Sequence, residues 1–496
     1  MSTLLNRLNM YKPFTAMVVG DFMLDEQIYG AAERLSPDAP VPILLEERKE
    51  STPGGAANVA LCLWALKAEV LCFGVIGSDR EGETLRRSIR EAGCDVSGII
   101  QDDDRPTTIK RSMIGLAQHR HPQKMFRVDV ESREPVSAMI REKILSMIES
   151  KINTVDVVCL EDYDKGVCSP EFCNKLVEIC KARNKPLLVD PAAIEDYSKY
   201  TGATLLTPNR SEAELATGLD TPLDASEMHN SGLATKLIRQ LKLEAVVLTL
   251  DCHGALLEER GNDPVLVPTV ARSVYDVTGA GDIVLAALAG GVANKLPWLD
   301  AVKFANAAAG LEVEVFGAQP IPFANVVREV LKQSTTLEGK VRSLDELLVE
   351  LAVHREAKER IIFTNGCFDV IHAGHVAYLR EAKQLGDVLV VAINCDEQVR
   401  QQKGEGRPIY DETERLEILS EFACIDYLIV FDEPTVGELL EETMPDVYVK
   451  GGDYQIQEIN ERKLCKKRGI EIKILAQRPG LGSTDVIERL VKTADK

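Results

Sequence analysis

Two short runs hold the residue types that phosphate chemistry needs. The first, Asp276-Val-Thr-Gly-Ala-Gly-Asp282, passes at once into an apolar, alanine-rich stretch. Its glycines permit a tight turn, so the N–H groups of Gly279, Ala280 and Gly281 converge where a helix begins. Such amides, with the helix dipole, can hold the negative charge that builds on a transferring phosphoryl group. Asp282 beside them can accept a proton from an attacking hydroxyl. The plain alternative is a helix cap, a place where Asp is common. The second run is Phe363-Thr-Asn-Gly-Cys-Phe-Asp-Val-Ile-His372-Ala-Gly-His375. An apolar strand ends in a glycine-containing turn, and two histidines three apart open a helix whose amino end can face an anion. No nucleophile accompanies them. The pattern suits direct attack on the α-phosphate of a nucleoside triphosphate, driven by positioning and charge stabilisation. A metal site is disfavoured, because no H-E-x-x-H pattern occurs.

Positioning these groups falls to alternating strands and helices, the mark of β-α units and a largely parallel sheet. Strands are predicted at Ala16–Val19, Val70–Phe73, Val155–Leu160, Pro186–Val189, Thr204–Thr207 and Ala245–Leu250. Helices are predicted at Ala56–Lys67, Gly82–Ala92, Pro170–Arg183, Asp282–Ala293 and Leu299–Ala309. Val41–Glu46 and Thr107–Met113 read as exposed strands of mixed character, fit for a lid or for pairing across a dimer. The pattern breaks near 326–340 and a second α/β series follows, up to a helix at Thr484–Lys492. We divide the chain into residues 1–328, a linker at 329–340, and 341–496.

The whole chain has 496 residues, 45% of them hydrophobic, and 58 basic against 78 acidic residues give a net charge of −20. That surface repels polynucleotides and anionic lipid, so the expected partners are small molecules and phosphates must be met by local devices. No signal-peptide pattern or membrane-length apolar run is seen, and the 12 cysteines include no C-x-x-C pair. A cytoplasmic protein with reduced thiols and no zinc is the expectation.

Further elements occur in order through the first two thirds: Gly20-Asp21 through Asp25, Pro53-Gly54-Gly55-Ala-Ala-Asn58, Thr207-Pro-Asn209-Arg-Ser-Glu212, Thr249 with Gly254, and Asn306. With the Gly-Ala-Gly-Asp run they resemble the ribokinase (PfkB) family of sugar kinases over about residues 10–320. The resemblance implies a doubly wound α/β domain with a β lid, and Asp282 as the base with the Gly279–Gly281 amides as its anion hole. It further implies that Asn209 and Glu212 organise magnesium carried by ATP, with no direct protein ligand to the metal. Thr249, Gly254 and Asn306 would line the nucleotide site, and Asp21, Asp25, Gly54, Gly55 and Asn58 would bind the sugar. Arg34, Lys110 and Arg111, with Arg120 and Arg127, supply cations near the lid strands, which suits a substrate already carrying a phosphate.

The last third adds Lys403-Gly404 with Arg407-Pro408, the run Val449-Lys-Gly-Gly-Asp-Tyr454, and Gly482-Ser-Thr484. Over about residues 341–496 this resembles the HxGH nucleotidyltransferases, in particular their cytidylyltransferase-like branch, and implies a smaller Rossmann-like domain. His372 and His375 would then bind the triphosphate and Lys403 would neutralise charge during transfer. Asn365, Gly366, Asp396 and Arg415 would help form the ATP site, and Ser483 and Thr484 would donate to the β and γ phosphates. Where many relatives carry another hydroxyl residue after that pair, this chain has Asp485.

The two modules in one chain resemble the bifunctional heptose kinase/adenylyltransferases. That implies ATP-dependent phosphorylation of D-glycero-β-D-manno-heptose 7-phosphate at O1, then adenylyl transfer to heptose 1-phosphate giving ADP-heptose for lipopolysaccharide core synthesis. A homodimer through the kinase half is expected. Two rivals stand beside this reading: a different sugar kinase fused to a cytidylyl- or guanylyltransferase, and a non-catalytic metabolite sensor that keeps both folds.

Overall fold

The computed structural model describes residues 3–116, 122–220, 227–269, 278–314, 317–334, 339–452 and 459–475. These form two compact units, Met1–Val330 and Leu331–Lys496. Helix Phe323–Ser334 continues into the segment expected as linker, because Val326, Val327, Val330 and Leu331 all bury apolar side chains. The helix expected at Thr484–Lys492 lies outside the described residues, as do Arg120, Ser483 and Thr484.

The first unit is built on a nine-stranded sheet. Its central strand, Phe14–Gly20, pairs in parallel with Ala68–Gly77 on one side and Val157–Glu161 on the other. From Ala68–Gly77 the sheet runs out to Asp95–Asp102. From Val157–Glu161 it continues through Leu187–Asp190, Leu205–Leu206 and Ala245–Thr249 to two antiparallel edge strands, Ala255–Glu259 and Val265–Val267. Strand Val157–Glu161 is buried throughout, which explains its apolar run up to the terminal Glu161: helices cover both faces. The chain reverses its direction of travel between Phe14–Gly20 and Val157–Glu161, so a crevice opens at their carboxyl ends.

A separate four-stranded sheet, in the order Pro42–Gly55, Phe22–Leu35, Thr108–Leu116 and Gln123–Val130, forms the lid. Sequence reading found parts of two of these strands. It missed Phe22–Leu35 and Gln123–Val130, whose mixed polarity follows neither an apolar run nor clean alternation.

Apart from Asp282, helix Ala280–Ala293 consists of small and aliphatic residues, buried along most of its length. Helices Ala56–Ala65 and Trp298–Glu312, also rich in alanine, pack against it. Small side chains let such backbones approach closely, and that approach carries Asn58 to Asp282.

The second unit has a five-stranded parallel sheet in the order Tyr427–Phe431, Val388–Asn394, Ile361–Gly366, Val447–Gly451 and Glu471–Leu475. Alternate residues feed two cores: Ile361, Phe363, Val388 and Val390 enter one, Ile362, Leu389 and Val391 the other. Helix Ala373–Lys383 follows the central strand directly, with His372 as its cap.

Candidate active sites

Asp282 lies in the first turn of helix Ala280–Ala293 and is 4% exposed. Gly279 before it has φ 92°, and a Cβ there would meet Glu312 Oε1 at 2.6 Å and Asn58 Nδ2 at 3.0 Å, so the turn demands glycine. Asn58 Nδ2 donates to Asp282 Oδ2 at 2.7 Å, and Tyr163 Oη donates to Oδ1 at 3.3 Å. Burial raises the Asp282 carboxyl to about 7, against the lowering effect of the Asn58 bond and the Lys110 charge. A base poised there is half ionised at neutral pH.

Asp282 opens onto a cavity of about 440 Å³ beneath the lid, lined also by Asp25, Lys110, Lys124, Arg127 and Tyr163. Lys110 Nζ lies 4.1 Å from the centre of the Tyr163 ring. Asp25 Oδ1 is buried with no hydrogen-bond partner, and burial raises this carboxyl while Lys110, Arg127 and Lys124 lower it. Gly54 makes room for Asp25, since a Cβ at Gly54 would stand 2.5 Å from Asp25 Oδ2. Gly55 also lines the cavity.

Several expected sugar ligands have other work. The Asp21 carboxylate accepts from the backbone N–H groups of Tyr163 at 2.9 Å, Lys165 at 3.1 Å and Val167 at 3.4 Å. It is buried and anchors the loop that carries Tyr163. Asn58 directs its amide to the base rather than into the cavity. Arg111 Nε pairs with Glu26 at 2.6 Å, a carboxylate also held by Lys49, because residue 111 points away from the lid face that Lys110 and Ser112 present. Arg34 is exposed toward the end of its strand and does not line the cavity.

The nucleotide residues are placed as follows. Asn209 and Glu212 form a reciprocal capping box on helix Arg210–Thr217, each side chain bonding the other's backbone N–H at 2.9 Å. Asn209 also bridges to Thr249. Asn306 Nδ2 donates to Val267 O at 2.9 Å, and Gly254 abuts that same carbonyl.

Sequence reasoning missed a set of acids at the strand ends. The carboxylate oxygens of Glu161, Asp190 and Asp282 lie within 4.8 Å of one another. Glu161 Oε2 is buried and without a hydrogen-bond partner. Burial first, then the Glu212 and Asp282 charges, pushes the Asp190 carboxyl well above its usual range, and Glu161 is raised likewise. A divalent cation relieves this kind of mutual repulsion, and Glu161 with Asp190 fit one while leaving Asp282 as the base. The available signal was an acid at the carboxyl end of two successive parallel strands.

In the second unit the His372 and His375 rings stack with centroids 3.9 Å apart, and His372 Nδ1 accepts from Gly374 N at 3.1 Å. Burial, then the neighbouring His372 and Lys403, lowers His375 to about 4. It is therefore neutral at pH 7, and its Nδ1 is buried without a partner. Asp369, fully buried, pairs with Arg407, accepts from Ile409 N at 2.6 Å and lies 3.8 Å from Lys403 Nζ. It ties Lys403, at the end of its helix, and the loop after it to the Gly-Cys-Phe turn, a role sequence reasoning did not assign. Arg415 is a correction: with no exposed surface, it donates to Asp396 Oδ1 at 2.6 Å and to the carbonyls of Cys367 at 2.7 Å and Asn394 at 2.8 Å. It helps form the site by bracing Asp396 and these carbonyls from behind, its guanidinium being buried. Asn365 and Gly366 end the central strand, and Asp396 begins helix Asp396–Lys403.

Comparison with known proteins matches both units. The family model for pfkB family carbohydrate kinases covers residues 15–324, and that for cytidylyltransferase-like proteins covers 363–489. Among solved structures, Arabidopsis thaliana ribokinase complexed with ribose and ATP has a TM-score of 0.51 at 20% identity, over 64% of this chain and 99% of that one. Escherichia coli phosphofructokinase-2 in its tetrameric inhibited form has a TM-score of 0.53 at 14% identity, over 65% and 100%. Both show the fold of the first unit. Bifunctional protein HldE of Geobacter metallireducens is 39% identical over 97% of this chain and 96% of its own length. Its counterpart in Wolinella succinogenes is 40% identical over 96% and 98%. With a kinase module and a nucleotidyltransferase module in the same order and nearly full-length identity to these relatives, the chain belongs to the bifunctional HldE family.

Proposed function

We propose that the first unit phosphorylates D-glycero-β-D-manno-heptose 7-phosphate at O1 with ATP, and that the second joins heptose 1-phosphate to AMP. In the first reaction Asp282 takes the proton of the O1 hydroxyl as the bond from O1 to the γ-phosphorus forms. The bond to the β-phosphate oxygen breaks and ADP leaves. The amides of Gly279, Ala280 and Gly281 stabilise the charge on the transferring group. Lys110, Lys124 and Arg127 hold the 7-phosphate, and Asp25 orients sugar hydroxyls. Magnesium would come with ATP, and in place of the ion expected to have no direct protein ligand, Glu161 and Asp190 would offer it oxygens; it would neutralise phosphate charge.

The observation that carries the kinase reading is a buried carboxyl, held by Asn58 at a helix amino end and opening on a cavity whose lid supplies cations. In the second reaction the 1-phosphate oxygen attacks the α-phosphorus of ATP and pyrophosphate leaves. Neutral His375 donates a hydrogen bond, and Lys403 supplies positive charge. The 1,7-bisphosphate must lose its 7-phosphate between the two steps. No described helix is long and apolar enough to cross a membrane, in keeping with a cytoplasmic enzyme. The lid strands carry exposed Leu35 and Leu45, which supports a homodimer through the kinase unit.

Mass-spectrometric analysis of the full chain with ATP, magnesium and heptose 7-phosphate tests the first reaction, and Asp282→Asn is expected to remove it. Offering each nucleoside triphosphate with heptose 1-phosphate tests the second; a preference for CTP would overturn the adenylyl assignment. Sedimentation at varied concentration tests the dimer.

A further inference from the structure

Tyr163 lines the kinase cavity and touches the base, yet the reaction as described gives it no task. The chain around it is held at several points. It lies in the loop after strand Val157–Glu161, and its N–H donates to Asp21 at 2.9 Å, with Lys165 and Val167 bonding the same carboxylate. Asp162 before it pairs with Lys199 at 2.7 Å and accepts from Tyr200 Oη at 2.8 Å and from Asp164 N at 2.8 Å. Gly166, at φ 91°, passes so near Glu134 that a Cβ there would stand 2.1 Å from its carbonyl oxygen. A loop fixed by this many buried bonds holds its side chains in one place.

From that fixed stem the side chain meets two elements far apart in the sequence. Its hydroxyl donates to Asp282 Oδ1 at 3.3 Å, while Asn58 donates to Oδ2 at 2.7 Å. The two bonds fall on different carboxylate oxygens, so together they set the plane of the base. Lys110 Nζ stands over the Tyr163 ring, 4.1 Å from its centre. Lys110 belongs to the lid strand Thr108–Leu116, opposite Asp25 in the register, and lines the same cavity. A lysine carries a compact charge on a flexible four-carbon stem, so the partner of its ammonium decides where that charge stands. The negative face of an aromatic ring attracts an ammonium without cancelling it, which leaves the charge for a phosphate. A carboxylate in place of the ring would neutralise the lysine and repel the substrate.

We propose that Tyr163 is a positioning residue of the kinase site, its hydroxyl orienting the Asp282 carboxylate and its ring seating Lys110 of the lid for the phosphate of the sugar. The inference rests on the kinase reading and adds to it the side chain that holds base and lid cation in one frame.

The test uses the full chain, with Tyr163→Phe keeping the ring without its hydroxyl and Tyr163→Leu removing both. ADP release is followed with heptose 7-phosphate varied at saturating ATP, then the reverse. Tyr163→Phe is expected to lower kcat roughly three- to tenfold, the loss of one hydrogen bond, with the KM for heptose 7-phosphate within about twofold. Tyr163→Leu lowers kcat as much and also raises that KM roughly three- to thirtyfold, the loss of a partly desolvated cation–π contact. The KM for ATP stays within about twofold in both. An unchanged kcat in Tyr163→Phe overturns the proposal, as does a KM for the sugar phosphate that is equal in the two variants. So does a parallel rise in the KM for ATP, which would mark Tyr163 as a prop for the fold. If the unsubstituted chain releases no ADP with heptose 7-phosphate, the kinase reading fails on that substrate. NMR of the full chain then still decides Tyr163, because its ring current displaces the Lys110 side-chain resonances, identified by their loss in Lys110→Met. Movement of those resonances in Tyr163→Leu, and their retention in Tyr163→Phe, upholds the seat, and unmoved resonances in Tyr163→Leu refute it.

Discussion

Replacing Asn58 by alanine isolates what one hydrogen bond does to the kinase base. Asn58 Nδ2 stands 2.7 Å from Asp282 Oδ2 inside the protein, and that bond favours the ionised carboxylate against burial. A hydrogen bond to a charged group contributes about 1.5–3 kcal/mol. Removing it is therefore expected to raise the Asp282 pKa by roughly one to two units, at 1.36 kcal/mol per unit. Starting from about 7, half of the base is ionised at pH 7. In Asn58→Ala the ionised fraction falls to roughly a tenth or a hundredth, so kcat/KM at pH 7 drops about five- to fiftyfold. The loss is recovered at higher pH. The assay is ADP release with heptose 7-phosphate as acceptor, with kcat/KM taken from pH 6 to 10 in steps. A shifted acidic limb with an unchanged plateau is the expected result. A loss that is the same at every pH, with the limb unmoved, would refute the reasoning and return Asn58 to the sugar-binding role first expected of it.

Three other outcomes are expected. His375→Ala removes pyrophosphate release while leaving the kinase rate of the same chain near normal; loss of both activities would mean the two units do not work independently. Gly54→Ala drives a methyl group onto the Asp25 carboxylate and raises the KM for the sugar phosphate about tenfold, the cost of one displaced charged hydrogen bond. An unchanged KM there would remove Asp25 from the sugar site. Finally, the His375 imidazole titrates near 4 when folded and near 6.5 when unfolded, so its neutral form favours the fold above pH 6.5. That contribution declines as pH falls from 6.5 towards 4. Urea midpoints of the second unit should drop less over this range in His375→Gln than in the unsubstituted chain, and equal drops would show that another group controls the acid limb.

Both sites handle polyanions inside a chain of net charge −20. The kinase cavity does so with cations from adjacent strands of one lid sheet, and the second unit with a helix amino end and Lys403 at the end of a neighbouring helix. Local placement outweighs the bulk charge because short-range contacts in a partly desolvated site are screened far less than long-range ones.

What could be read in the sequence were groups whose function depends on neighbours a few residues away. The Gly-Ala-Gly-Asp turn, the two histidines opening a helix and the apolar parallel strands are local patterns, set by backbone sterics and by burial on both sheet faces. Asp282 and His375 were found that way. Their ionisation could not be, since it depends on burial and on partners distant in the chain: Asn58 lies 224 residues from Asp282. The same limit explains the residues whose roles changed. Asp21, Arg111 and Arg415 have the right chemistry for a ligand, but the packed fold gives their polar atoms to loop amides, to Glu26, and to carbonyls and Asp396. Glu161, Asp190, Tyr163 and Lys124 carry no motif, and meet only because strand order and lid register bring them to one crevice. Chain-local chemistry was determined by sequence; which side chain faces the ligand, and at what charge, was decided by tertiary packing, because burial and distance are properties of the whole fold.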